Sequence, residues 1–221
     1  GTPFLLRFIF GGILKPKIKI LGTDVAGRVE AVGKDVTQFK PGNEVFGDLS
    51  ECGFGAFAEY VCAPEKVLGL KPTNMTFEEA ATVPASALAA LQGLRDVGQI
   101  QSGQKVLING ASGGVGSFAL QIAKLQQCEV TGVDTGDKLE MMKANGFDQV
   151  LDYKKTDFTK TGERFDMVLD CKTTRSPFAY LRSLKPGGHY ITIGGTVGRL
   201  LQVLVLRKII NLFSGKKLSI L

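Results

Sequence analysis

Residues 109–116 read Asn-Gly-Ala-Ser-Gly-Gly-Val-Gly, a GxGxxG-like turn with Ala111 in the first position, Gly113 in the second and Gly116 in the third. Each small residue has a physical use. The first permits a tight turn, the second lets backbone approach a pyrophosphate, and the third lets a helix pack closely on a strand. A helix opening at Gly114 and Val115 would add free N–H groups and a partial positive charge facing the anion, with Ser112 at the lip of the turn. Eighteen residues after Gly116 comes Asp134, where a carboxylate can bind ribose hydroxyls and repel a 2′-phosphate. Lys138, four residues on, could do the opposite, and Tyr153 could lie beside the adenosine. Two plainer roles stay open: Asp134 capping the next helix, and Lys138 as a solvated helix lysine. The pattern therefore points to dinucleotide binding and leaves the choice between NAD and NADP open.

Other chemistry is sparse. His189 is the only histidine, and it follows Pro186-Gly187-Gly188, so an exposed turn histidine is expected. The four cysteines include no CxxC pair, which excludes a zinc cage or disulfide framework and suits reduced thiols in the cytoplasm. Cys171 would be reactive only if Lys172 lowered its pKa; a buried strand-end thiol is the expectation. Tyr60 is expected to be a packing aromatic.

The elements that must position the turn are legible around it. Residues 106–108 are continuously apolar, as in a parallel strand buried on both faces, and 117–125 form an amphipathic helix. Strands follow at 129–133, 149–151, 166–169 and 190–193, with helices at 138–145 and 178–184 between them. That alternation predicts an α/β fold with a doubly wound parallel sheet. Upstream, 23–32, 44–46 and 54–64 read as short strands separated by turns such as Pro41-Gly42, which suggests a small β-barrel or sandwich. Thr76 with Glu79 forms a capping-box signature, and 86–94 reads as a further helix. The expected domains are 1–82 and 83–221.

With 221 residues, 44% of them apolar, the chain can bury a core and is neither disordered nor fibrous. Residues 1–103 hold 10 Lys/Arg against 11 Asp/Glu, and 104–221 hold 17 against 10. The basic half suits an anionic ligand; no nucleic-acid motif accompanies it. No run reaches the roughly 18–20 apolar residues of a membrane span. The closest are 4–14, which resembles a signal-peptide core without a cleavage site, and 200–213, broken by Arg207 and Lys208. The run at 200–206 fits a dimer-forming edge element or a core helix or strand, and with its flanking cations it could also touch a membrane surface.

The segments GTDVAGRVEAVGKDVTQFKPGNEVFGD, GAFAEYVCAPEKV, VPASALAALQGL, VLINGASGGVGSFALQIAK and GGHYITIGG, in this order, resemble the medium-chain dehydrogenase/reductase superfamily. The resemblance is closest to its zinc-free quinone oxidoreductase-like branch, often labelled NAD(P)-dependent alcohol dehydrogenase. It implies a GroES-like β-barrel catalytic domain beside a Rossmann domain, both partial, with the active site in the cleft between them. Zinc members place His-Glu where this chain has Thr23-Asp24, so the resemblance implies no zinc.

The implied reaction is hydride transfer from NAD(P)H to a quinone or α,β-unsaturated carbonyl. The match of Lys138 and Tyr153 to residues contacting a 2′-phosphate favours NADP(H) over NAD(H). Gly194-Gly195 match a loop close to the nicotinamide. The family often dimerises through its Rossmann sheet, so a homodimer is a further implication. Three departures are present: Ala87 for a glycine, Ala89 for a threonine, and the bulkier Cys171-Lys172-Thr173 turn. They support an alternative, a non-catalytic NAD(P)-binding sensor or structural member; a zinc-free alcohol dehydrogenase is a third reading. No catalytic acid emerges. Family members usually exceed 300 residues, and an Asn-Pro-x-Asp stretch of their N-terminal part is not found, so a chain truncated at both ends is expected.

Overall fold

A computed structural model describes residues 18–221; the apolar run at 4–14 lies outside the described residues. The chain divides into two compact units, 1–85 and 86–221, where the sequence placed the join between 82 and 83.

In the first unit, β1 (Asp24–Arg28), β2 (Glu44–Asp48) and β3 (Leu68–Leu70) form an antiparallel sheet in the order β1-β2-β3. Ala26 faces Phe46 in the first pairing, and Phe46 faces Gly69 in the second. Helix α1 (Phe77–Ala81) starts with the expected capping box: the Glu79 amide donates to the Thr76 hydroxyl at 3.1 Å, and the Thr76 amide donates to the Glu79 carboxylate at 2.9 Å. The Asp24 carboxylate accepts the Ala85 amide at 2.7 Å, which satisfies one orphan donor at the start of α2 (Pro84–Leu91).

One expectation fails in this unit. Residues 54–64 form no strand. Gly53, Phe54 and Gly55 all take positive φ (99°, 70° and 112°), which curls the chain out of extended geometry. The Ala56 and Phe57 amides are instead spent on the Gly22 and Leu21 carbonyls. Tyr60, expected to pack, is 76% exposed.

The second unit opens with the rest of α2, which continues as a π turn over Gln92–Val97. It then alternates β4 (Lys105–Asn109), α3 (Gly114–Leu125), β5 (Glu129–Asp134), α4 (Leu139–Ala144), β6 (Gln149–Asp152), β7 (Phe165–Asp170), α5 (Pro177–Arg182), β8 (Leu184–Thr192), α6 (Val197–Phe213) and β9 (Lys217–Ile220). The six strands pair in parallel in the order β6-β5-β4-β7-β8-β9. This is the expected doubly wound sheet, with one strand more than the sequence suggested. The chain reverses direction across the sheet after β6, so β4 and β7 flank the switch point where ligands of such sheets bind. Alternate side chains feed two cores. Val106 and Ile108 pack with Leu120, Met142 and Leu169 on one face, while Leu107 joins Val168, Tyr190 and Val203 on the other.

The 200–206 run is the middle of helix α6, not a strand. His189 also differs from expectation. It is the sixth residue of β8, half-buried, and its Nε2 lies 2.8 Å from the Ser219 hydroxyl on β9.

Candidate functional site

The glycine turn leaves β4 at Asn109 and reverses at Gly110, whose φ of 80° favours a residue without a side chain. Ala111 is buried beneath it. A Cβ on Gly116 would lie 2.5 Å from the Ala111 carbonyl oxygen, and one on Gly114 would lie 2.7 Å from the Ser86 hydroxyl. Gly116, set against backbone, is therefore demanded by packing, whereas at Gly114 the Ser86 hydroxyl could turn aside. Gly113 is different: its Cβ would meet only the Gly110 carbonyl, at 3.5 Å, and the residue is exposed. The open space lies at the residue where backbone must come close to an anion. Gly113 also caps α3 without a side chain, so the first-turn amides of Gly114, Val115 and Gly116 point outward with no intrahelical acceptor. This cradle and its twelve-residue helix fit a dinucleotide pyrophosphate.

Asp134 ends β5 beside the turn and is tied to it. Its Oδ2 accepts the Ser112 hydroxyl at 2.6 Å and the Ser112 amide at 3.1 Å, and its Oδ1 accepts the Thr135 amide at 2.9 Å. Lys138 Nζ stands 3.6 Å from the same Oδ1. Burial alone would raise the Asp134 pKa, but Ser112, Thr135 and Lys138 together hold it below the usual carboxylate range. The residue capping the following turn, Gly136–Lys138, is Thr135. Tyr153, just past β6, donates its amide to the Asp134 carbonyl at 3.1 Å and leaves its ring exposed. The structure thus gathers 111–116, Asp134, Lys138 and Tyr153 at the C-terminal ends of β4, β5 and β6.

Gly194 and Gly195 stand past the end of β8, next to the segment that follows β7. Thr173 pairs with Gly195 in a parallel bridge, and its amide donates to the Gly194 carbonyl at 2.8 Å. With φ at 155°, a Cβ on Gly195 would sit 2.5 Å from the Thr173 carbonyl oxygen.

Under this loop lies a buried polar cluster that sequence reasoning missed. Asp170, fully buried, accepts from Asn109 Nδ2 at 2.7 Å, the Tyr190 hydroxyl at 2.8 Å and the Lys172 amide at 3.0 Å. The Thr173 hydroxyl meets that of Tyr190 at 3.1 Å and also that of Thr192. Tyr180 stacks on Tyr190 with centroids 4.3 Å apart, and its hydroxyl accepts from the Thr174 and Arg175 amides. Burial, then the Asp170 charge, pushes both tyrosines up, so they remain protonated donors. The signal available in the sequence was Asp170 itself, a carboxylate that directly follows the apolar run 167–169.

Cys171 is half-buried, and burial with the adjacent Asp170 pushes its thiol up to about 12. The proposed lowering by Lys172 is absent, because the lysine is exposed and the carboxylate dominates. The His189 imidazole, desolvated and beside Lys217, falls to about 4. Among the described residues, no three His, Cys, Asp or Glu side chains cluster as metal ligands.

Comparison with known proteins agrees with this architecture. The model for an alcohol dehydrogenase GroES-like domain matches residues 6–92, and the model for a zinc-binding dehydrogenase matches 114–218. The 2-methylene-furan-3-one reductase of Solanum lycopersicum is 36% identical over 190 residues, covering 82% of this chain and 48% of the relative. The chain thus spans about half the length of that relative. The solved quinone oxidoreductase of Coxiella burnetii superposes with a TM-score of 0.82 at 25% identity, over 100% of this chain and 67% of its own. A solved NAD-dependent alcohol dehydrogenase, 30% identical, covers 95% of this chain and 70% of its own, with a TM-score of 0.75. The paired domain matches, the doubly wound sheet and the glycine turn in its expected place lead to one assignment: the chain belongs to the medium-chain dehydrogenase/reductase superfamily.

Proposed function

We propose that this protein transfers a hydride from NADPH to a quinone or an α,β-unsaturated carbonyl without a catalytic metal. The observation that carries the reading is the cradle at 110–116, open at Gly113, with an exposed Lys138 beside it. When bound, the nicotinamide supplies the hydride. The chain's own residues bind and orient. The amides of Gly114, Val115 and Gly116 and the start of α3 receive the pyrophosphate. Lys138 and Tyr153 hold the adenosine phosphate, and the Gly194-Gly195 backbone, pinned by Thr173, borders the nicotinamide side.

Asp134 supports NADP(H) over NAD(H) in an unexpected way. Its carboxylate is already occupied by Ser112 and Thr135, so it is a poor acceptor for ribose hydroxyls. The acceptor class is supported by relatives named as a furanone reductase and a quinone oxidoreductase. Metal independence is supported by the donor set, since the single histidine is held in β8 by Ser219 and the four cysteines are scattered. Those free thiols fit a reducing compartment such as the cytoplasm, and β9, at the sheet edge, is where a homodimer would form.

A fluorescence titration with NADPH and NADH in parallel tests the cofactor assignment. NADPH should bind more tightly, and Lys138→Ala should weaken it by roughly 10–100-fold, the worth of a charge-assisted contact, while changing NADH little. Tighter binding of NADH would sink the phosphate assignment. Turnover of a quinone and enone panel then separates an enzyme from a protein that binds NADPH without oxidising it, the outcome that Ala87, Ala89 and Lys172 would favour.

A further inference from the structure

Helix α6 is apolar on both sides. Val203 and Ile210 are buried in the core, yet Leu201, Leu204, Val205, Ile209, Leu212 and Phe213 face solvent, with Val205 69%, Leu212 75% and Phe213 79% exposed. Scattered exposed leucines are ordinary, but six large apolar side chains on the outer side of one helix of 17 residues, about 25 Å long, form a patch that water alone does not suit. The charge around it is one-sided. From 171 to 221 the chain has nine Lys/Arg and no Asp or Glu.

Several of these cations are spent internally: Arg175 pairs with Asp157 and Lys185 with Asp166, Arg199 reaches the Thr174 carbonyl, and Lys216 Nζ the Leu181 carbonyl. Lys208 rises from the apolar face itself, Arg207 flanks it, and Lys217 lies exposed just beyond the helix. Asn211 does not break the face, because its amide is turned onto β9, where it donates to the Leu218 carbonyl and accepts the Leu218 amide.

We propose that the outer face of α6 docks on the surface of an anionic phospholipid bilayer, lying in the interface with its leucines and Phe213 among the acyl chains and its cations at the headgroups. An apolar face that carries Lys208 and is flanked by Arg207 and Lys217 is the pattern that such surfaces reward. A second copy is the poorer occupant, because a two-fold contact would set Arg207 and Lys208 of one copy against those of the other, and the helix carries no acid to pair with them. Spanning is excluded for this helix, since among the described residues no helix is long and apolar enough to cross a membrane. The proposal is independent of the reaction above, because none of these residues belongs to the cofactor site.

The test is flotation of the full chain with large unilamellar vesicles of phosphatidylcholine, alone or with added phosphatidylglycerol, at low and high salt. Binding should require phosphatidylglycerol and fall with salt. The Arg207→Gln/Lys208→Gln double variant should bind about 30-fold more weakly, at roughly a fivefold loss per cation. Leu212→Gln/Phe213→Gln should lose at least about tenfold through its missing apolar burial. Both pairs are exposed or nearly so, and far-UV circular dichroism with unchanged NADPH binding checks that the variants are folded. Three results overturn the proposal: no flotation with any vesicle, equal flotation with phosphatidylcholine alone, or a sedimentation dimer that Leu212→Gln/Phe213→Gln converts to monomer.

Discussion

Asp134 and Lys138 pull the cofactor choice in opposite directions, and the structure makes them partners. The carboxylate accepts three hydrogen bonds from Ser112 and Thr135 and lies 3.6 Å from the ammonium, which stays exposed enough to swing toward a ligand. A 2′-phosphate must therefore draw Lys138 away from Asp134 while tolerating the carboxylate. Asp134→Asn removes that competition and keeps most of the hydrogen-bonding shape. NADPH should then bind roughly 3–10-fold more tightly, the worth of one partly screened charge pair, as read by the same titration. Unchanged or weaker NADPH binding would mean that holding Ser112 in place is the carboxylate's main contribution. The spacing of Gly116, Asp134 and Lys138 was enough to expect them together at neighbouring strand ends, where they lie. The site's electrostatics were not legible, because Ser112 and Asp134 are 22 residues apart and meet only once β4 and β5 lie side by side.

Elements whose signals are local were read well, and those that depend on a neighbour were not. The capping box at Thr76 and Glu79 and the apolar strand at 106–108 carry their own instructions. Residues 54–64 alternate well enough for a strand, but three successive positive φ angles at 53–55 turn the chain, and the Ala56 and Phe57 amides bond to carbonyls that precede β1. His189 was misplaced for a related reason. Gly187 and Gly188 suggest a loop, and β8 does lose its register with β7 there, with Gly187 at a φ of 76°; from His189 the strand resumes and pairs with β9, a strand too short and too mixed to stand out.

That placement has a consequence for stability. Burial first, and the Lys217 charge second, lower the histidine from 6.5 to about 4. Between those values the unfolded chain binds a proton that the folded chain does not, so stability rises with pH across this window. The contribution is fully present above pH 6.5 and is lost as the pH falls toward 4. Denaturant unfolding of His189→Gln at a series of pH values should show a flatter slope than the parent between those limits. An identical slope would show that the ring is solvated in the folded state.

At the scale of the whole molecule, the two units differ in how much they bury. Among the described residues, Val45, Leu49, Ala80 and Pro84 are the buried apolar side chains of the first unit, whereas the second carries two extended cores on either side of its sheet. Local opening follows the number of buried contacts, so backbone amides of β1–β3 should exchange faster than those of β4, β5 and β7. The proposed cofactor contacts, 111–116, Lys138, Tyr153 and 194–195, all fall within 86–221. Ligand that binds only the folded form adds stability to the unit that holds it, by about 2.7 kcal/mol at a hundred times Kd. Hydrogen exchange with NADPH at that level should therefore slow β4, β5 and β7 by about 100-fold, wherever exchange passes through opening of the whole unit. The amides of β1–β3 should keep their rates. Equal protection in β1–β3 would move part of the binding site into the first unit, and no protection in β4 would remove the cofactor from the glycine turn altogether.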